Sequence, residues 1–181
     1  LLVTHNTGYF SGGINATVGN GLIRVVNSLF ADNAAPTSAF GHLYVGANST
    51  AASHGAIIAN NTFVNGTCAG SGGRGCGVGL SACGGVAVQI SNNIFSNNAI
   101  SDLNVENCII AGLGTGSVAM DSNSGGTLSG NLSPTISHPL SLVPKFEDAL
   151  IGNFRLRSDS PLINQGSGPI PIYGYNGFDL D

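Results

Sequence analysis

The chain has 181 residues, 42% of them hydrophobic and only 8% charged, with a formal net charge of −4 and five Lys plus Arg. So few cations, none clustered, exclude a nucleic-acid surface, because neutralising phosphates needs a basic stripe. No apolar run has the length of a membrane-spanning helix. With charge this scarce, surface polarity falls to Asn, Ser, Thr and Gly. The 28 Gly and the absence of Trp point to many tight turns in one all-β folding unit of extracellular type.

A short phrase recurs along the chain. It reads N-T-G-Y at 6–9, N-S-L-F at 27–30, N-N-T-F at 60–63 and N-N-I-F at 92–95. The aromatic column is Tyr9, Phe30, Phe63 and Phe95, and three residues before each stands Asn6, Asn27, Asn60 and Asn92. Around Val86, Val88 and Ile90 the aliphatic residues alternate with Ala87, Gln89 and Ser91, the two-residue period of a strand with one dry face. The column Val3, Arg24, Ile57 and Gln89 is mixed and reads as an exposed or partly exposed face. Between phrases lie second short strands, at 13–15, 41–45, 77–80 and 102–105.

A constant phrase at the unequal steps of 21, 33 and 32 residues predicts coils of one solenoid with loops of different length. The expected fold is an all-β, right-handed parallel β-helix spanning 1–130, with successive coils stacked about 4.8 Å apart. Stacking would align the side-chain amides of Asn6, Asn27, Asn60 and Asn92 into a hydrogen-bonded ladder and pile the aromatic rings alongside. The competing reading is an antiparallel sandwich whose Asn-rich turns recur by accident. A further phrase at 107–110 is either the last strand of the fourth coil or a tight new coil, and one more short strand is expected at 118–121.

The four cysteines, Cys68, Cys76, Cys83 and Cys108, allow three pairings. Cys68 with Cys76, closing a glycine-rich loop, is favoured over the others. Cys83 and Cys108 read equally well as small buried core residues. Neither C-x-x-C nor a nearby ligand histidine marks a zinc site. From 131 the composition shifts, with six of the seven prolines, and proline cannot donate to a strand ladder. Residues 131–181 are therefore expected as an irregular cap of the same domain, laid over the open end of the last coil.

The N-N-x-F coils at 60–63 and 92–95, the run N-C-I-I-A-G at 107–112, and the terminal phrases N-F-R-L at 153–156, S-P-L-I-N-Q-G at 160–166 and F-D-L-D at 178–181 together resemble bacterial secreted right-handed parallel β-helix proteins of the pectate-lyase-like superfamily. The resemblance is greatest to the polymorphic outer-membrane-protein type and covers most of the chain. It implies a location outside the cell or on its surface, a place within a longer polypeptide, and polysaccharide or a host or cell surface as partner. It does not choose a chemistry, since the superfamily holds lyases, polygalacturonases, epimerases, tailspikes and adhesins.

An acidic-polysaccharide lyase needs a base, commonly Arg or Lys, and carboxylates that hold Ca²⁺ against the uronate. The candidates are Arg24, Asp32, His42, Arg74, Asp102 and Glu106. No carboxylate recurs in one column on consecutive coils, and the polygalacturonase motifs survive only as isolated Gly41-His42 and His54-Gly55. His42 reads as a strand-start residue, at the surface or hydrogen-bonded. The expectation is a non-catalytic structural, adhesive or glycan-contacting domain without a metal or other cofactor. The alternative is part of a polysaccharide lyase or related carbohydrate enzyme, with Ca²⁺, in which those six side chains would have to meet in one groove.

Overall fold

The computed structural model describes residues 1–37, 40–49, 55–69, 75–107, 117–125, 127–130 and 132–166; of residues 48, 49, 83, 106 and 107 it describes the backbone alone. After β1 (Leu2–Thr4), the chain runs through β2 (Ile14–Val18), β3 (Leu22–Val26), β4 (Leu29–Ala31) and the short β5 (Ala34–Ala35). The same order repeats as β6 (Leu43–Ser49), β7 (Gly55–Ala59), β8 (Thr62–Val64) and β9 (Thr67–Cys68), then as β10 (Val78–Gly84), β11 (Ala87–Ser91) and β12 (Ile94–Ser96). Two shorter rounds follow, β13 (Leu103–Asn107) with β14 (Ser117–Asp121), and β15 (Leu128–Gly130) with β16 (Thr135–Ser137). The short strands expected between the phrases are those that open the rounds, β2, β6, β10 and β13.

Corresponding strands pair in parallel. The first sheet has the order β15-β13-β10-β6-β2, the second β16-β14-β11-β7-β3 and the third β1-β4-β8-β12. The chain is thus all-β, with stacked parallel strands and no α-helix among the described residues, an arrangement compatible with a parallel β-helix. Every round presents the same alternation to the same side. Leu43, Val78 and Leu103 stack in the first sheet, Ile58, Ile90 and Met120 in the second, and Phe30, Phe63 and Phe95 in the third. These columns meet in one core cluster. The rings of Phe30, Phe63 and Phe95 lie nearly parallel, with centroids 4.9 and 5.2 Å apart.

Tyr9 is not part of that stack. Val3 stands opposite Phe30, and Tyr9 is 79% exposed on the turn that follows β1. The phrase N-T-G-Y imitates the others in letters but falls six residues further round the coil. Asn6 accordingly lies opposite Asn33, through the Thr7–Ala34 bridge, and not opposite Asn27.

The asparagine ladder is displaced by one residue from the expected column. Asn27, Asn60 and Asn92 carry the left-handed backbone angle that bends the chain from the second sheet to the third (φ 51°, 56° and 55°), and Ser122 (φ 50°) and His138 (φ 44°) continue that column. Asparagine is the residue other than glycine that tolerates this region best. The next residue in each coil supplies the amide that hydrogen-bonds along the stack. Asn61 donates its backbone N–H and its Nδ2 to Asn93 Oδ1, both at 3.0 Å, and Asn93 donates likewise to Asn123 Oδ1. Ser28 N–H donates to Asn61 Oδ1 at the start of the relay. The second amide hydrogens go to the carbonyls of Val25, Ile58 and Ile90, so these buried amides are satisfied in a row.

The mixed column of the second sheet is drier than expected. Arg24 is exposed, but Ile57 is fully buried and Gln89 nearly so. Among the described residues of the C-terminal segment, β16 extends the second sheet and the hairpin that follows lies on the flank of the third. The antiparallel hairpin of β17 (Phe146–Asp148) and β18 (Asn153–Leu156), joined by a single 3-10 turn, packs Phe154 against Ala31 and Val64 on the outward side of the third sheet. Leu128 and Ile136, which continue the core columns into the last round, remain 41% and 48% exposed. Apolar surface on the flank of the third sheet, at Leu29, Ala31 and Val64, is what holds the hairpin.

Replacing Asn93 by Ala is expected to lower unfolding free energy by about 2–6 kcal/mol, because two donors of Asn61 lose their acceptor at roughly 1–3 kcal/mol each. Urea denaturation measures it, and a loss near zero would mean water reaches the turn.

Candidate functional site

The ionisable candidates do not share a cleft. Arg24 lies on the outward face of the second sheet, Arg74 is outside the described residues, and the side chain of Glu106 is not described. Asp32 occupies a left-handed position (φ 54°) in a surface column at the turn after the third sheet, with His5, Asn65 and Asn97. There its Oδ1 accepts from Asn65 Nδ2 at 2.9 Å, Asn97 Nδ2 donates in turn to Asn65, and His5 Nε2 stands 3.7 Å from Asp32 Oδ2. These are links between coils.

His42 and Asp102 do belong together, but inside the stack. The same turn carries a second relay, again one residue after the left-handed column: exposed Asn6, buried Asn33 and Gly66, then half-buried Asn98. Asn6 donates its N–H and Nδ2 to Asn33 Oδ1, and Gly66 N–H donates to Asn98 Oδ1 at 2.9 Å. The rung that Gly66 leaves empty is filled by the imidazole of His42, which is fully buried and flanked by the rings of Phe30 and Phe63. Its Nδ1 lies 3.0 Å from Asn33 Nδ2 and its Nε2 lies 3.0 Å from Asn98 Oδ1. Asn98 Nδ2 then donates to Asp102 Oδ1, whose partner Oδ2 accepts from the N–H and the hydroxyl of Thr127.

Burial lowers the His42 pKa to about 4; hydrogen bonding of the ring to Asn98 Oδ1 and to the Val64 backbone and the charge of Asp32 act in the opposite sense. At neutral pH the ring is uncharged, which suits a hydrogen-bonded core group and leaves it no access to a substrate. The Cys68–Cys76 disulfide lies beside this rung, in β9 and in the turn before β10. Cys108 and the side chain of Cys83 lie outside the described residues. Among the described residues no three His, Cys, Asp or Glu side chains are grouped to hold a metal ion.

The feature on the surface suited to bind a ligand was not anticipated. On the outward face of the first sheet, Phe10, Phe40 and Tyr44 form one aromatic cluster. The rings of Phe40 and Tyr44 stack at 5.0 Å and 24°, and Phe10 meets both edge-on, at 5.5 and 5.0 Å. Glycines make the rings' position on the sheet possible. A Cβ on Gly79 would come 2.2 Å from the Phe40 ring, and one on Gly46 would come 3.3 Å from the Tyr44 ring. Phe40 is buried beneath the cluster, Phe10 and Tyr44 are half-buried, and the neighbouring outward residues Asn15 and Thr17 are exposed. Aromatic faces edged by neutral hydrogen-bonding groups can take a ligand with an apolar face and a polar rim.

A recess open to solvent lies where the C-terminal segment crosses the first ladder turn. Asn60, Asn92 and Ser122 line one side, and Leu156, Leu162 and Gln165 the other. None of the six ionisable candidates lines it. No helix among the described residues is long and apolar enough to cross a membrane.

Gly79→Ala is expected to displace the Phe40 ring and to destabilise the protein by about 1–3 kcal/mol, the usual cost of overpacking. Chemical denaturation with near-ultraviolet circular dichroism checks both effects. No protein-family model, curated protein or solved structure matches the chain.

Proposed function

We propose that the chain is a right-handed parallel β-helix domain of the pectate-lyase-like type, working outside the cell or at its surface as a non-catalytic structural and glycan-contacting module. The observation that carries this reading is the aromatic cluster of Phe10, Phe40 and Tyr44 on a sheet face edged by Asn15 and Thr17. Sugar rings present C–H faces that lie on aromatic rings and hydroxyls that pair with amides and hydroxyls at the rim. A surface of this kind, poor in charge, fits a neutral or weakly charged polysaccharide.

Catalysis finds less support. Lyase chemistry needs a base at the sugar and carboxylates to neutralise the uronate. Here the acid and the imidazole that do associate, Asp102 and His42, are joined through Asn98 beneath the surface, with their polar atoms engaged by protein. Asp32 is committed to His5 and Asn65.

The test is titration against a panel of neutral and uronate polysaccharides by affinity electrophoresis, alongside ultraviolet detection of unsaturated product with and without Ca²⁺. Binding without product is expected, and Tyr44→Ala should weaken it at least about tenfold, or about 1.4 kcal/mol, while circular dichroism stays unchanged. Product formation that depends on Arg24 or Asp32 would replace this reading by the lyase one.

A further inference from the structure

The two amide ladders of this stack are built alike except at one rung, and that rung titrates. In the first ladder Asn61 accepts from the preceding coil and donates Nδ2 to Asn93 Oδ1. In the second, Gly66 holds the equivalent place and no side chain fits there: a Cβ on it would stand 2.4 Å from the Cys76 carbonyl oxygen and 2.8 Å from the His42 ring. His42 performs both of the missing amide's tasks. It meets Asn33 Nδ2 on one side and Asn98 Oδ1 on the other.

The backbone assigns the protons on this ring. Asn33 Oδ1 accepts from Asn6 N–H and its Nδ2 donates to the Val3 carbonyl, so the amide can turn only its nitrogen toward His42 Nδ1. Asn98 Oδ1 accepts from Gly66 N–H and its Nδ2 donates to the Phe63 carbonyl, so its oxygen faces His42 Nε2. Hence Nδ1 accepts, Nε2–H donates, and the ring is the neutral Nε2–H tautomer. A second proton has only Nδ1 to bind, where it would face the Asn33 N–H donor at 3.0 Å; bonding to the Val64 backbone favours the charged ring, but burial outweighs it.

We propose that the turn containing Asn33, Gly66 and Asn98 is an acid-sensitive joint, held closed by neutral His42 and released when Nδ1 is protonated, while the all-amide turn through Asn61, Asn93 and Asn123 stays closed. Among the described residues, the ionisable groups bearing on the ring are Asp32, whose charge favours the imidazolium, and Asp102, which is engaged through Asn98; His5 faces Asp32. The β8 side of the site contributes no ionisable group between Thr62 and Gly66. The sign follows from linkage. The ring binds its proton more weakly folded, at about 4, than unfolded, at 6.5, so stability is full above pH 6.5 and falls as pH drops toward 4. Between pH 7 and pH 5 this one group should lower the folding constant about 20-fold.

Amide hydrogen exchange of the intact chain at pH 7 and pH 5, corrected for intrinsic rates, tests the proposal. At pH 5 protection of Gly66 and Asn6 N–H should have fallen and should lie below that of Asn61 and Asn93 N–H, which open only with the whole chain. Equal protection at both turns at pH 5, or no loss at Gly66, would overturn it. Nitrogen chemical shifts of the His42 ring give an independent reading that requires no variant. The Nε2–H tautomer persisting to below pH 5 is expected, and an Nδ1–H tautomer or a midpoint near 6.5 is incompatible with the joint. In His42→Gln, which can accept and donate without titrating, urea denaturation should show most of the 20-fold acid loss removed. An undiminished loss would count against the proposal.

Discussion

What this structure depends on is the satisfaction of backbone groups at turns buried between stacked coils. Where the chain passes from the second sheet to the third it takes one left-handed step, at Asn27, Asn60 and Asn92, and the N–H that follows points along the stack. Asn61, Asn93 and Asn123 meet that N–H with the amide of the next coil, which returns its own hydrogens to the coil before. An unpaired group there would cost several times what a surface hydrogen bond contributes. Because asparagine recurs at this position as Asn61, Asn93 and Asn123, one solution serves successive rounds, and the Phe30, Phe63 and Phe95 rings follow the same register.

The same constraint explains how the scarce ionisable groups are used. Asp32 lies in an outer column where an asparagine would serve, accepting from Asn65. Asp102 closes the end of an inner relay, with its oxygens divided between Asn98 and Thr127. His42 spans a gap that glycine at 66 leaves. Side chains that in another setting do acid–base work are here joints between coils, and the outward face of the first sheet carries the aromatic cluster of Phe10, Phe40 and Tyr44.

Much of the architecture is legible in the letters because a parallel stack repeats its environment. Two-residue alternation at Val86, Val88 and Ile90 sets which side chains face inward, and the recurring N-N-x-F marks where each coil bends. Ambiguity arises where local pattern and stack position separate. An Asn-Asn doublet does not say which member turns the chain and which one bonds along it, since both tasks suit asparagine. N-T-G-Y matches the phrase by composition while lying at the following turn, and only pairing of Val3 with Phe30 reveals the offset.

The sequence by itself determined the all-β class with repeated strands, the ring column from Phe30 to Phe95 and the scarcity of charge, since all of these rest on local periodicity and composition. Only the tertiary structure decided that Phe40 lies over Gly79, that Phe10 and Tyr44 join it, and that His42 reaches Asn98 across 56 residues. It likewise set Phe154 on the flank of the third sheet. The physical reason is common to these cases. A side chain's partner above, below or outside a coil belongs to a different turn of the chain, and coils of unequal length leave no fixed sequence spacing by which to find it.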